Sequence, residues 1–112
     1  MRAAVLGLLL LAGCGAAAPG PVASVTEGVR FVPDANGLGI EGRATRIDFG
    51  RSPKGVIPVV EREVGRGVDM PLTGCPAAAV RLVNYDGLEL LFTAERFIGW
   101  RQGGATAGQI CA

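Results

Sequence analysis

The strongest pattern in the chain lies between Ala79 and Arg101. Apolar and polar positions alternate there with the period of two that marks a half-buried strand. Ala79 to Tyr85 reads as one strand, with Val80 and Leu82 on one face. Asp86-Gly87 follows as a hairpin turn signal, a dipeptide that tolerates the positive φ angles of a tight turn. Leu88, Leu90 and Phe92 line one face of the next strand, and Thr93 to Arg96 makes a short polar connection. Phe97 to Arg101 is a third strand carrying Ile98 and Trp100. Three sequential strands with short turns predict an antiparallel meander. Upstream, Leu38 to Gly50 reads as a hairpin: Leu38 and Ile40 alternate, Glu41-Gly42 offers a turn, and Ile47 and Phe49 alternate with Arg46 and Asp48.

The period changes after Ser52. Ser52-Pro53 is an N-cap followed by a proline at the first helical position. Val56, Val60 and Val64 recur four apart, Glu61, Arg62 and Glu63 populate the polar side, and Gly65 supplies a stop. The spacing predicts a helix over 53–64. Pro58 lies too deep for the free first turn, so the helix either kinks there or starts near Gly55 or Ile57. Arg66 to Ala78 reads as loop, and the glycine-rich tail from Gly103 as irregular until Cys111. The fold class is α+β: one short helix packed on a four- or five-stranded antiparallel sheet that ends in the three-strand meander. Both faces of that meander carry apolar residues, Val83 and Leu91 being set against Leu82 and Leu90. One face is then covered by tether, loops and tail, or it is left open as a protein-docking surface holding Tyr85 or Trp100 with Arg96 and Arg101 beside it.

The N-terminus follows a different logic. Met1-Arg2 gives one positive charge, Ala3 to Leu11 is an unbroken apolar run, and small residues lead to Cys14. These are the parts of a secretory signal peptide. The apolar stretch is too short and too rich in glycine and alanine for a spanning helix. Leu11-Ala12-Gly13-Cys14 resembles the lipobox of bacterial lipoproteins. That resemblance implies cleavage before Cys14, a thioether-linked diacylglycerol on its sulfur and acylation of the new amino group. Two or more acyl chains anchor stably where one holds only marginally. Gly15, not aspartate, follows Cys14, and by the same resemblance the mature protein faces the periplasm from the outer membrane. Three parts are expected: a signal peptide over 1–13, a flexible tether over 14–28 rich in Ala, Gly and Pro, and a single small domain over 29–112.

Composition narrows the chemistry. The 112 residues suffice for one small domain, with 49% apolar and 19% charged residues. Loss of Arg2 with the leader leaves acidic and basic side chains in balance, so neither nucleic acid nor a headgroup-seeking polybasic surface is indicated. Histidine is absent, which removes the commonest general base and transition-metal ligand. Cys75 and Cys111 suggest one disulfide in an oxidising compartment, closing a loop of about 35 residues. Two cysteines without histidine make a poor zinc set, and neither a metal nor a cofactor is implied. Ser52 has only Lys54 nearby as an activator, and Asp34, Asp48, Glu61, Glu63, Asp69, Asp86, Glu89 and Glu95 are scattered. The expectation is a non-enzyme. Arg43, Arg46, Arg51, Arg96 and Arg101 flank the expected strands, either as a solvated face or as a site for carboxylate or phosphate groups.

The run from Leu90 to Trp100 resembles the apolar-strand, turn and Gly-Trp ending of small secreted α+β modules of the beta-lactamase-inhibitor-like and SmpA-like type. The resemblance covers the helix-to-meander half and departs in placing a hairpin before the helix. It implies a protein-binding or assembly module. The whole chain is also similar to small alphaproteobacterial lipoproteins. Its expected role is a lipid-anchored envelope protein that binds or scaffolds an envelope protein, with binding of a small molecule or envelope polymer as the alternative.

Overall fold

The computed structural model of the chain describes residues 28–112. The expected leader, the lipid-attachment residue Cys14 and the tether as far as residue 27 lie outside these residues. Helix α1 spans Pro53–Val64, as its valine spacing predicts. Ser52 has extended backbone, and its Oγ accepts the Gly55 N–H at 3.2 Å. Gly65 ends the helix at φ 89°, its N–H reaching the Glu61 carbonyl. Pro58 sits inside the helix without ending it, so the start is Pro53 and neither Gly55 nor Ile57. Its ring leaves the Lys54 carbonyl without a helical donor, but both residues are exposed and water can serve that oxygen. Val56 and Val60 are wholly buried.

Two antiparallel sheets flank this helix. Strands β1 (Phe31–Asp34), β2 (Gly37–Ile40) and β3 (Ile47–Asp48) form the smaller. Strands β4 (Val68–Met70), β5 (Ala79–Tyr85), β6 (Leu88–Thr93), β7 (Phe97–Gln102) and β8 (Ala105–Gly108) form a five-stranded meander in chain order. The α+β class therefore holds, with two differences. The hairpin before the helix gains β1 and forms a sheet of its own. The stretches 66–78 and 103–111, expected to be irregular, supply the outer strands β4 and β8. The turn at Asp86-Gly87 forms at φ 54° and 102°, with Asn84 Oδ1 accepting the Gly87 N–H at 2.7 Å.

The sheets are tied at one corner of β7. Gly50 donates to the Phe97 carbonyl at 2.9 Å, and Phe97 donates to the Arg51 carbonyl at 2.8 Å. Trp100 Nε1 donates to the Asp34 carbonyl at 2.8 Å, crossing from the meander to the β1–β2 turn.

Face assignment is a second correction. Val83 pairs with Leu90 and Leu82 with Leu91, so each pair shares a face of the sheet. A register shift between Ala79 and Arg81 turns Val80 out to solvent while Leu82 is buried. The face bearing Val83, Leu90, Phe92, Phe97 and Trp100 packs on α1 and on Leu38, Ile40 and Ile47 of the small sheet. Phe97 stacks tilted against Phe49 and Phe92 at centroid separations of 5.0 and 5.6 Å. The opposite face bears Leu82, Leu91 and Ile98 under Cys111, with Met70, Cys75 and Ala79 at its margin. No open apolar face is left on the central strands of the meander.

A disulfide joins Cys75 to Cys111, 36 residues apart. In the chain-entropy picture a loop of that size stabilises by about 3–4 kcal/mol. The tail beside it is held by Gln109 N–H to the Ile98 carbonyl at 2.8 Å and Ala112 N–H to the Gly74 carbonyl at 2.7 Å. Gly99 permits this crossing: a Cβ there would stand 1.7 Å from the Gln109 carbonyl oxygen.

Candidate functional site

An open meander face would hold Tyr85 or Trp100 as a docking surface with Arg96 and Arg101 beside it. Both aromatics are instead 6% exposed in the main core. Tyr85 donates its hydroxyl to Glu61 Oε2 of α1 at 3.3 Å. Burial, then the negative charge of Glu61 and this hydrogen bond, push the phenol up to about 12. Arg101 donates to the Cys111 carbonyl and so braces the tail. Arg96 is exposed in the β6–β7 turn, where Thr93 Oγ1 accepts its N–H at 3.0 Å. The four residues therefore do not form one surface. Their alternation pattern is that of the core they occupy, and apolar strand residues on a covered face look the same in sequence as those on an open one.

The structure does gather a different subset of the arginines. A cleft of about 220 Å³ opens between the small sheet and α1. Its floor is Phe31, Ile40, Ile47 and Val59, and its rim carries Arg43, Arg46, Arg51 and Arg62 with Glu63. The local folding that places these groups is specific. Gly55, Val59 and Arg62 lie on one helix face by their spacing of four and three. Gly55 has no side chain, and a Cβ there would touch only Ser52 Oγ, so the mouth stays open at the helix start. Arg51 stands between Gly50 and the N-cap Ser52, and its backbone is clamped by the pair of bonds to Phe97. Arg43 follows the tight turn in which its N–H meets the Ile40 carbonyl at 3.0 Å.

The four guanidiniums are not equivalent. Arg46 Nη2 donates to Asp34 Oδ1 at 2.7 Å and its Nε to Asp48 Oδ1 at 2.8 Å. The bond from Arg46, helped by the Asn36 N–H, holds the Asp34 carboxyl below the ordinary carboxylate range. The same two carboxylates raise Arg46 and keep it committed to them. Arg62 has Glu63 only at 3.8 Å, and Glu63 also accepts the Val29 N–H at 3.2 Å. Arg43 and Arg51 have no ion-pair partner among the described residues. Arg62, read from sequence only as the polar side of the helix, belongs to this site; Arg96 and Arg101 do not.

Among the described residues no group of three or more metal-ligating side chains converges. No helix among them is long and apolar enough to cross a membrane. Comparison with protein-family models, with curated proteins and with solved structures returns no match.

Proposed function

We propose that the chain is a lipid-anchored protein of the bacterial cell envelope, held on the periplasmic side of the outer membrane, and that its folded domain is a non-catalytic protein-binding or scaffolding module. The observation that carries the anchor is Leu11-Ala12-Gly13-Cys14 behind a basic start and an apolar run. The Cys75–Cys111 disulfide supports an oxidising compartment. A chain without histidine, whose serine Ser52 is spent on a helix cap, supports binding over catalysis. For a protein partner, exposed apolar groups are offered around β4 by Val68, Leu72 and Val80, and elsewhere by Val32, Val64 and Ile110.

One observation favours the second reading, binding of a small molecule or envelope polymer. The cleft beside α1 is concave, apolar at its floor and cationic at its rim.

The anchor is tested by the intact mass of the mature protein from membranes, beside Cys14→Ala. Loss of residues 1–13 with added acyl mass, absent in the variant, is the expected result. An unlipidated mass in the soluble fraction would overturn it. The scaffolding role predicts a recurrent envelope partner after crosslinking of whole cells. Its absence across several growth conditions counts against that role.

A further inference from the structure

We infer that the cleft between the small sheet and α1 is a binding site for a phosphate group carried on a short apolar stem. The inference deepens the second functional reading and rests on it. Lone surface arginines are ordinary, and Arg30 or Arg66 would carry no such argument. The difference here is convergence. Four arginines and Glu63 line one concavity, and two of the arginines, Arg43 and Arg51, have no ion-pair partner among the described residues. Arg46 is already held by Asp34 and Asp48, with its guanidinium over Gly39 of β2, so it offers a ligand in the cleft no free fork.

The number of free donors selects the ligand. A carboxylate offers two oxygens and one charge, which a single guanidinium fork satisfies. Two forks without an ion-pair partner among the described residues, with Arg62 only loosely paired at 3.8 Å, suit a group with more oxygens and more charge. A phosphate ester meets both requirements. The floor of Phe31, Ile40, Ile47 and Val59 accepts carbon and offers the charged head no solvation, so the stem goes inward and the phosphate stays at the rim. A volume of about 220 Å³ is below that of drug-sized pockets and fits a headgroup with only a few carbons.

Two sources can supply this chemistry, a phospholipid headgroup or a soluble phosphate ester. Val29 forms part of the cleft wall and lies 15 residues beyond Cys14. An extended chain of that length spans about 50 Å, so on an anchored protein the cleft lies within reach of the membrane surface.

The test uses the mature chain with Cys14→Ala, so that no acyl group drives partitioning. Titration calorimetry with butyl phosphate is expected to give saturable one-to-one binding, tighter than with inorganic phosphate or pentanoate. Arg43→Gln with Arg51→Gln is expected to weaken it at least about tenfold, the scale of a lost charged hydrogen bond. Arg51→Lys, which keeps charge and loses the fork, is expected to fall between, and Arg96→Gln to match the parent. Binding to phosphatidylglycerol vesicles, absent with phosphatidylcholine and displaced by butyl phosphate, assigns the lipid source. Butyl phosphate binding without vesicle binding assigns the soluble one. No saturable binding by the folded parent, equal binding of pentanoate, or undiminished binding by the double variant would overturn the site. None of these outcomes touches the anchor, which the mass of the membrane-extracted protein decides separately.

Discussion

The two faces of the five-stranded sheet are closed by different means. On one side α1 and the small sheet bring their own apolar residues, and the aromatic trio Phe49, Phe92 and Phe97 fills the space between them. On the other side Leu82, Leu91 and Ile98 point outward, and among the described residues no further helix or sheet is laid on them. The tail does the covering, with few apolar groups of its own, and a covalent bond to Cys75 holds it there. The difference shows how a small domain closes a sheet with one helix. Where apolar area suffices, packing seals the face; where it does not, loop-closure entropy is removed by a crosslink instead.

The largest expected effects test each side in turn. Phe97→Ala removes a wholly buried ring at the corner where both sheets meet and should cost about 3–5 kcal/mol, the range for such cavities. Denaturant unfolding followed by the single tryptophan, Trp100, reads it directly. A loss under about 1 kcal/mol would mean that the packed face is not the main source of stability. Cys75→Ser should cost about 3–4 kcal/mol. It should also act unevenly: amide exchange at Gln109 and Ala112 should quicken well before exchange at Leu90. Equal acceleration at all three would erase the distinction between the faces.

How much of this was legible beforehand follows the same division. The helix and the three central strands could be read because their apolar residues repeat at the period of the packed core. β4 could not: of Val68, Asp69 and Met70, two are exposed, and the strand exists because β5 offers it an edge. β8 is Ala-Thr-Ala-Gly, with almost no side chain to pack, and is set by its pairing with β7. β1 is four residues with a proline, a sequence that reads as loop until β2 lies beside it. The disulfide was legible from compartment and count. The cleft was only half so: Arg43, Arg46 and Arg51 stood out as a group, but nothing local says that a helix lays Arg62 and Val59 opposite them.

A smaller effect separates the helix from the strands within the packed face. Ser52→Ala removes the cap on the Gly55 N–H and should cost about 1 kcal/mol. Because Arg51 precedes the cap and is clamped to Phe97 through its backbone, the change should fray the first turn without moving the sheet corner. Thermal unfolding gives the magnitude. A loss of several kcal/mol would mean that the cap also holds the two sheets together.

The smallest effect is silent at neutral pH and makes the packed face visible by itself. Tyr85 is the single tyrosine, so absorbance at 295 nm reports its ionisation alone. Its phenol is pushed from 10.0 up to about 12 by burial and by Glu61. A raised folded value means that the unionised form is the one the fold prefers. That preference contributes in full below the unfolded value of 10.0, weakens between 10.0 and about 12, and is gone above. The folded protein should therefore titrate late, and Glu61→Gln should shift the midpoint back toward 10.0 by removing the charge while leaving the burial. Cys75→Ser should leave the midpoint unmoved, since the disulfide seals the opposite face of the sheet. A shift with the cysteine variant as large as with the glutamate variant would show that the two faces do not stand independently.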